Sequence, residues 1–424
     1  MSSAKARAAF VSEREGHGLA RVAAVSPRLR LGDVAANVQL TVEAAQPVVL
    51  EQGARVVVLP ELGLTGYSCG DLFFQRALLD SAMEGLAQLA EQTAKWPALL
   101  VAGLPLRVRD RLYNAAAVIA RGRILGFVPK SYLPNACEFY ERRWFSPAPT
   151  AVDAWVDCLG EQVAFGVDLI FDVKDLPGLR VGVEICEDLW AVVPPSSPAA
   201  LAGATVLLNL SASDEVLGKA RYRRELVAQQ SARCLAAYVY AGAGAGESST
   251  DVVYSGHCMV AENGVLLAES ERFGFEAAAA VADVDLQWLQ HDRMHSSSFR
   301  DEERPPVFRT VEVELGAAVG AADLRRALPA RPFVPGADAD RAAVCREIFA
   351  IQCTGLARRL LAVQPKSLVI GLSGGLDSTL ALLVILQALE RAKLPKSRAI
   401  AVTMPGFGTS KRTKSNAEKL AAAL

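Results

Sequence analysis

The sequence lacks the features that mark several classes of protein. Its 45 basic and 46 acidic residues leave a formal net charge of -1, so no charge excess favours nucleic acid as a partner. The longest apolar run, around residues 380–389, is too short to span a bilayer. The N-terminal residues lack the apolar core of a signal peptide. We therefore expect neither nucleic acid nor a membrane as a partner.

Metal-binding and disulfide patterns are also missing. The chain has only 4 histidines, and its 8 cysteines include no Cys-x-x-Cys pair. These counts argue against a zinc site and against a disulfide framework, so we predict no metal held by a dedicated side-chain cluster. A reducing cytoplasm is the simplest location, where a single cysteine can act as a nucleophile.

What the chain does have is length and alternating apolar segments. Its 424 residues favour two or three domains. Short apolar runs typical of buried strands alternate with helical stretches up to about residue 285, which predicts a layered α/β domain. The strands are predicted at 19–25, 56–59, 98–103, 115–120, 181–185, 206–210 and 237–241, and the helices at 33–52, 75–93 and 220–234. We place this domain at residues 1–286, a linker rich in Pro, Ser, Arg and Asp at 287–339, and a second domain at 340–424.

The second domain carries a short glycine-containing motif between a strand and a helix. Residues 373–378 read SGGLDS, after the apolar run 367–372 and before a buried helix. A glycine pair lets backbone N–H groups approach an anion, and the helix N-terminus adds a favourable dipole. The motif resembles the PP-loop of the N-type ATP pyrophosphatases, although a plain structural turn is the alternative. The resemblance implies ATP contacts from Leu372, Ser373, Gly374, Gly375, Leu376, Asp377, Ser378 and Thr379.

In the first domain, three reactive residues each follow a predicted strand. Cys186 ends the run VGVEIC, Glu61 ends VVVLPE, and Lys130 ends ILGFVPK. Strand ends are where α/β sheets usually meet ligands. Taken singly, each residue has a structural explanation, such as core packing for the cysteine or a salt bridge for the charged residues.

Together, and in these local sequences, the three residues resemble the nitrilase superfamily. The resemblance covers roughly residues 15–285 and implies an α-β-β-α sandwich with a Glu–Lys–Cys catalytic triad. It assigns Cys186 as the nucleophile that attacks an amide carbonyl. It assigns Glu61 as general acid and base and Lys130 as the fixed positive charge beside the oxyanion.

The same resemblance implies contacts to the substrate. Tyr67 is expected near the triad, and Ser213 and Lys219 are expected to hold the amino-acid end of glutamine. Glu187 and Asp188 have two open roles, either shaping the pocket or capping a helix. Ser213 has an alternative role as a turn residue, and Lys219 as a solvated charge. The family often has an aromatic residue where this chain has Ala136, which leaves only a backbone contact there unless Phe139 or Tyr140 fills the gap.

Joined in one chain, an amidase and a PP-loop module resemble the glutamine-dependent NAD synthetases. That family implies glutamine, ATP and deamido-NAD as substrates, Mg²⁺ to neutralise the phosphates, and no cofactor for the amidase half. Supporting strings are the glycine-rich segment 238–249, the linker residues 298–300 and the loop 403–410. A homo-oligomer is expected, since nitrilase-like domains commonly associate through helical faces.

Few residues follow the SGGLDS motif, so we expect a fragment of a longer enzyme that retains only the glutaminase half. One alternative is a stand-alone nitrilase-type amidase that acts on another small amide and carries a vestigial ATP-binding segment. A second alternative is a non-enzymatic subunit that senses ATP or ammonia. A preference for glutamine over other amides, and turnover itself, would separate these hypotheses.

Overall fold

The computed structural model describes residues 14–149, 154–300, 306–320, 323–328, 330–334, 338–404 and 411–424. The chain divides into two compact units, and the division falls between Arg326 and Ala327. Each unit is described by itself.

The first unit contains two β-sheets. The first sheet has the strand order β14-β1-β2-β3-β4-β5-β7-β6, and the second has the order β13-β12-β11-β10-β9-β8-β15. The strands are β1 (Leu19–Ser26), β2 (Val56–Val58), β3 (Leu99–Val108), β4 (Arg111–Ala120), β5 (Arg123–Pro129), β6 (Ala154–Cys158), β7 (Glu161–Phe165), β8 (Leu169–Val173), β9 (Arg180–Ile185), β10 (Val206–Ser211), β11 (Ala237–Gly242), β12 (Cys258–Glu262), β13 (Val265–Glu269), β14 (Ala278–Asp285) and β15 (Arg309–Val313).

Helices accompany both sheets in the same unit. The α-helices are α1 (Val34–Leu50), α2 (Arg76–Gln92), α3 (Ser196–Leu201), α4 (Lys219–Arg233), α5 (Leu286–His295) and α6 (Ser297–Arg300). Short 3₁₀ turns span Tyr67–Phe74, Glu141–Arg143 and Cys186–Trp190.

Strand β1 shows why the sheets are buried on both faces. Its side chains alternate between two apolar clusters, because successive residues of a strand point to opposite faces. Val22 and Ala24 join the cluster that also contains residues of the second sheet. Ala23 and Val25 join the cluster that contains residues of α1 and α2. The apolar residues Val22 to Val25 of β1 therefore lie between a helical layer and the second sheet.

The second sheet is covered in the same way on its other face. A third cluster combines Ile170 and Leu207 of the sheet with Ala199 of α3 and Val227 of α4. The layers therefore run helix, sheet, sheet, helix. This α-β-β-α sandwich is the predicted fold, and each of the predicted strands and helices is present, with its ends shifted by a few residues or, for the strands that became β3 and β4, extended further.

The first unit extends beyond residue 286, where the sequence places the end of the domain. Strand β15 pairs in parallel with β8 at the edge of the second sheet. Val313 and the following Leu315 are buried in the cluster between the sheets. The segment 287–339 thus contributes a strand to the first unit before the division after Arg326. The strand is hard to recognise in the sequence because only five of its residues pair and it follows the polar, proline-containing run DEERPP, which is typical of a linker.

In its described residues, the second unit contains a parallel two-stranded sheet and three helices. Its elements are α7 (Asp338–Val363), β16 (Leu368–Gly371), α8 (Leu376–Arg391), β17 (Ala399–Val402) and α9 (Lys411–Ala423), with a 3₁₀ turn at Lys396–Arg398. Helix α8 makes the crossover between the parallel strands, which need such a connection. The apolar run before the SGGLDS motif forms β16 and the helix predicted after the motif is α8, whereas residues 405–410 of the loop 403–410 lie outside the described residues. No helix in the described ranges has the length and apolar character needed to cross a membrane.

Candidate active site

The fold brings the ends of strands from both sheets to one buried site. Glu61 lies shortly after β2 and Lys130 immediately after β5, both in the first sheet, whereas Cys186 follows β9 in the second. Their exposed fractions are 1% for Glu61, 0% for Lys130 and 5% for Cys186. Two sheets therefore contribute the three residues that the sequence singles out.

Lys130 lies between two carboxylates. Its Nζ is 2.6 Å from Oε1 of Glu61 and 2.6 Å from Oε1 of Glu141. Burial lowers the pKa of Lys130, but the carboxylates of Glu141 and Glu61 raise that pKa more, so it stands well above its usual value. The ammonium is therefore a permanent positive charge in the site.

The carboxylate of Glu61 is held on both oxygens. Asn114 Nδ2 donates to Oε1 at 2.6 Å, the same oxygen that Lys130 contacts. The backbone N–H of Ala212, just after β10, donates to Oε2 at 2.8 Å. Donors from both sheets thus fix the orientation of this carboxylate, as a general base requires.

Cys186 adopts a backbone conformation that is uncommon for a residue with a side chain. Its φ is 45°, in the left-handed region, at the sharp turn from strand β9 into the 3₁₀ turn. Asn209 Oδ1 accepts from its backbone N–H at 3.3 Å. Such a turn presents a side chain at the end of a strand, as expected of a nucleophile.

The surroundings of Cys186 favour the protonated form of its thiol. Burial and the carboxylate of Glu61 raise its pKa far above the usual value, and the charge of Lys130 opposes that shift only in part. Because Glu61 and Lys130 both act on this thiol, the three groups share one electrostatic environment. A nucleophilic thiolate must therefore form by proton transfer within the site.

Glu141 is a fourth ionisable residue that the sequence analysis did not assign. It belongs to the 3₁₀ turn after Lys130, is 1% exposed, and accepts from the Tyr67 hydroxyl at 2.8 Å. Burial raises its pKa to about 7, a shift that Lys130 opposes and Glu61 reinforces. Tyr67, predicted to lie near the triad, therefore reaches it through Glu141.

Asn114 is the other residue of this cluster that was missed. It sits inside the otherwise apolar run of β4 and is 1% exposed. A polar residue within an apolar strand is the signal that could have found it, since buried amides need partners. Glu141 offered a weaker signal, as one acidic residue among several polar ones.

Phe139 is an aromatic residue close to Ala136 that lies beside the site. Its ring packs edge-on against Tyr67, with centroids 6.4 Å apart, and Nζ of Lys219 lies 5.5 Å from its centroid. Ala136 is exposed, and its carbonyl accepts from the backbone N–H of Phe139 at 3.1 Å. Phe139, one of the two neighbours of Ala136 that could supply the aromatic side chain, therefore lies beside Tyr67 and Lys219, and its role toward the substrate stays a prediction.

The other predicted substrate residues surround the same region. Glu187 is half-buried, and burial raises its pKa while the charges of Lys130, Glu61 and Lys219 also act on it. The Lys219 ammonium pairs with the carboxylate of Asp214. Ser213 is held by Arg223, whose Nη2 donates to the Ser213 hydroxyl at 3.2 Å. None of these contacts tests whether glutamine binds there, so the roles stay predictions.

A cavity adjoins the cluster on the side of Tyr67. It has a volume of about 200 Å³, and its lining includes Tyr67, Phe139, Tyr140 and Tyr254. Tyr67 joins this cavity to Glu141 and hence to Lys130.

In the second unit, the predicted ATP turn has a defined geometry. Gly374 has a φ of 82°, which favours glycine, and Gly375 caps the start of α8. The hydroxyls of Ser373 and Ser378 lie 3.0 Å apart, and Ser378 Oγ accepts from the Ser373 N–H at 3.2 Å. Asp377 lies in the first turn of α8. The turn is thus compact, with the N-terminus of a helix behind it.

Two family models match the chain in tandem. The carbon-nitrogen hydrolase model matches residues 21–294, and the NAD synthase model matches residues 348–424. The first match covers more than half of the chain, and it includes all three triad residues. The chain belongs to the carbon-nitrogen hydrolase family.

The particular proteins that it resembles are glutamine-dependent NAD(+) synthetases. The chain is 46% identical to that of Mycobacterium tuberculosis over 413 residues, a match that covers 96% of this chain and 60% of the relative. It is 29% identical to that of Thermotoga maritima over 395 residues, which covers 92% of this chain and 61% of the relative. The chain therefore spans about 60% of the length of these curated relatives.

Solved structures share the fold. A glutamine-dependent NAD(+) synthetase from Cytophaga hutchinsonii matches with a TM-score of 0.57 and 22% identity, covering 96% of this chain and 63% of that one. A carbon-nitrogen hydrolase from Helicobacter pylori matches with a TM-score of 0.53 and 18% identity, covering 67% of this chain and 96% of that one.

Proposed function

We propose that the first unit hydrolyses glutamine to glutamate and ammonia through a thioester on Cys186. The observation that carries this proposal is the buried Lys130–Glu61 pair, whose charges act on the thiol of Cys186. A carboxylate base, a fixed cation and a neutral thiol are the parts that amide hydrolysis through a covalent intermediate needs.

Acylation begins with proton transfer from the Cys186 thiol to Glu61. The sulfur attacks the side-chain carbonyl carbon of glutamine, and the oxyanion that forms is stabilised by the Lys130 ammonium. Collapse of the tetrahedral intermediate breaks the C–N bond, and Glu61 returns its proton to the leaving nitrogen. Ammonia departs and the glutamyl thioester remains.

Deacylation uses the same groups in reverse. Glu61 takes a proton from a water molecule, whose oxygen attacks the thioester carbonyl. The C–S bond breaks, the thiolate recovers the proton from Glu61, and glutamate leaves. Hydrogen bonds from Asn114 and Ala212 keep the carboxylate aimed during both half-reactions.

The substrate contacts in this proposal are those predicted from the sequence. Tyr67 and Phe139 form the wall of the pocket, together with the backbone around Ala136. Lys219 attracts the α-carboxylate, and Glu187 and Ser213 complete the contacts to the amino-acid end. Glu187 and Lys219 interact electrostatically and carry opposite charges. This pair supports the arrangement, because the amino-acid end of glutamine also carries one positive and one negative charge.

For the whole enzyme, we propose that the ammonia serves the synthesis of NAD. ATP adenylates the carboxylate of deamido-NAD, ammonia displaces AMP to form the amide, and pyrophosphate is the other product. The turn from Leu372 to Thr379 contacts the phosphates through backbone N–H groups and the hydroxyls of Ser373 and Ser378. The match of residues 348–424 to the NAD synthase model supports this assignment.

Mg²⁺ fits this module as a companion of the phosphates. Within the described ranges, no group of three His, Cys, Asp or Glu side chains could hold a metal ion. Mg²⁺ often binds through one or two carboxylates and substrate phosphates, and the turn from Leu372 to Thr379 contains one carboxylate, that of Asp377. When bound, the ion would neutralise phosphate charge.

We also propose a cytoplasmic location and a homo-oligomer. All 8 cysteines are free thiols, and a cysteine nucleophile works only while reduced. Val192, Val193 and Leu217 are apolar and exposed, which suits contacts between copies. Sedimentation velocity would decide the oligomeric state.

The experiment that tests the function is a product assay with and without ATP and deamido-NAD. Ammonia release is measured with glutamine, asparagine and β-ureidopropionate, while glutamate and NAD are followed in parallel. We expect ammonia, with an equal amount of glutamate, from glutamine only, and none from the Cys186→Ala variant. Release from another amide but not from glutamine would favour a stand-alone amidase. Absence of turnover with every substrate would favour a sensing subunit, and NAD formation would extend the activity to the synthetase reaction.

A further inference from the structure

Asp188 is a buried carboxylate that the proposed reaction does not use. It lies two residues after Cys186, in the 3₁₀ turn Cys186–Trp190, and is 1% exposed. The sequence alone offers a local role for it as a helix cap. A buried carboxylate needs several donors to offset its desolvation, so its partners indicate what it holds.

Both oxygens of Asp188 accept hydrogen bonds from backbone N–H groups. Oδ2 accepts from Ile185, the residue before the nucleophile, at 2.9 Å. Oδ1 accepts from Ser131 at 3.1 Å and from Tyr132 at 2.8 Å. The first bond is a local cap, but the other two reach residues 57 and 56 positions away in the chain.

These partners belong to different sheets. Ile185 ends β9 of the second sheet, whereas Ser131 and Tyr132 follow Lys130 at the end of β5 in the first. One carboxylate therefore joins the segment that carries the nucleophile to the segment that carries the cation. The backbone groups that it binds lie within two residues of Cys186 or of Lys130 along the chain.

We propose that Asp188 is a positioning residue that fixes the ammonium of Lys130 relative to the sulfur of Cys186. The inference rests on the proposed function, in which these two groups act together. Lys130 Nζ is also held by Glu61 and Glu141, but these carboxylates belong to elements flanking the first sheet. Asp188 is the link that ties the backbone next to Lys130 to the backbone next to Cys186.

The expected effect falls on the chemical step rather than on binding. A misplacement of about 1 Å in a reacting group can reduce the rate about 100-fold. The hydrogen bonds of the Asp188 carboxylate go to Ser131, Tyr132 and Ile185, none of which is predicted to contact glutamine, so the KM for glutamine should change little. The cation also favours the thiolate, so a displaced Lys130 should make the thiol harder to ionise.

The test uses the isosteric variant Asp188→Asn in the full chain. An amide keeps one acceptor oxygen but turns an NH₂ group toward a backbone donor at the other end, so it cannot hold both segments. We expect kcat for glutamine to fall about 10- to 100-fold, with KM within about threefold. The pH profile for alkylation of Cys186 by iodoacetamide should shift upward, measured by peptide mass spectrometry with the exposed Cys345 as internal reference.

The matched control is Glu184→Gln. Glu184 is also 1% exposed and lies in β9, but it accepts from Tyr238 and from the Ser196 N–H, so it does not reach the Lys130 segment. We expect it to leave the alkylation profile of Cys186 and kcat within about threefold of wild type. If Asp188→Asn does not fold, Asp188→Ser is measured instead, since its side chain is too short to span the two segments.

Two results would overturn the inference. One is an Asp188 variant with lowered thermal stability but wild-type kcat and alkylation profile, which would make the residue structural only. The other is an equal shift in Glu184→Gln, which would reflect loss of any buried carboxylate. If wild type hydrolyses no glutamine, the proposed function fails, while the alkylation comparison still decides whether Asp188 positions Lys130.

Discussion

Nζ of Lys130 lies 2.6 Å from Oε1 of Glu61, and both side chains are fully shielded from solvent. Buried charges lose hydration, and only close partners offset that loss. Keeping the pair buried therefore costs the folded protein the hydration of both charged groups. Such an arrangement is typical of sites where charge must already be in place before the reaction.

Removing the cation should be costly for the fold and for the reaction. Lys130→Met leaves the carboxylates of Glu61 and Glu141 without their ammonium, and breaking a buried pair on one side destabilises by about 3–5 kcal/mol. We expect a large drop in the denaturant midpoint and no measurable glutamate release. Lys174→Met is the control, because Lys174 pairs with Glu312 near the surface. Equal losses of stability and of glutamate release in the two variants would contradict a specific role for Lys130.

Glu141 should make the free energy of unfolding depend on pH between the pKa that this residue has in the unfolded state and the pKa that it has in the folded state. Burial raises its pKa from the usual 4.5 to about 7 in the folded protein. Between these values the folded state holds a proton that the unfolded state has lost, so this group lowers stability as pH rises, by at most about 1.4 kcal/mol per pH unit.

Glu141→Gln removes that contribution. The stability of the variant relative to wild type should therefore rise as pH increases from 4.5 to 7 and stay constant above that range. Urea unfolding at several pH values measures the difference. Glu84→Gln, on the exposed side of α2, should follow the wild-type profile. A pH-independent difference for Glu141→Gln would contradict the assignment.

Gly103 of β3 should control the position of the base. A Cβ added there would lie 2.3 Å from the backbone N of Leu62 and 2.8 Å from the carbonyl oxygen of Pro60. Gly103→Ala must therefore push the segment that carries Glu61, which we expect to destabilise the protein by about 1–3 kcal/mol and to reduce kcat. A Cβ added at Gly274 would have no heavy atom within 4 Å, so Gly274→Ala should keep the wild-type stability and kcat. Wild-type kcat in Gly103→Ala would mean that the segment tolerates displacement.

Much of this site could be predicted from the sequence, and the reason is local. Glu61, Lys130 and Cys186 each follow a short apolar strand, so their places at strand ends need no long-range information. The partners could not be predicted, because they depend on register between distant segments. Asn114 reaches Glu61 only once β4 pairs with β3, and Asp188 reaches Ser131 only once the two sheets pack. Strand β15 was missed for a similar reason, since it is recognisable only beside β8.

Adding a side chain at Gly374, in the glycine turn of the second unit, should strain the turn and weaken ATP binding. Gly374 has a φ of 82°, a conformation that costs an L-residue about 1–2 kcal/mol. Gly374→Ala should therefore weaken binding of Mg-ATP about 10-fold or more, measured by calorimetry on the full chain. Gly355→Ala, in α7 with nothing within 4 Å, is the control. Equal affinity in both variants would leave the turn without a role in ATP binding.

A covalent intermediate on Cys186 can be detected by trapping it. Wild type is mixed with glutamine and quenched in acid during turnover, and the peptide that contains Cys186 is examined by mass spectrometry. We expect this peptide to gain the mass of a glutamyl group, Glu61→Gln to change the amount trapped, and Cys186→Ala to show no adduct. Glutamate release by Cys186→Ala at the wild-type rate, or an adduct on another cysteine, would contradict this expectation.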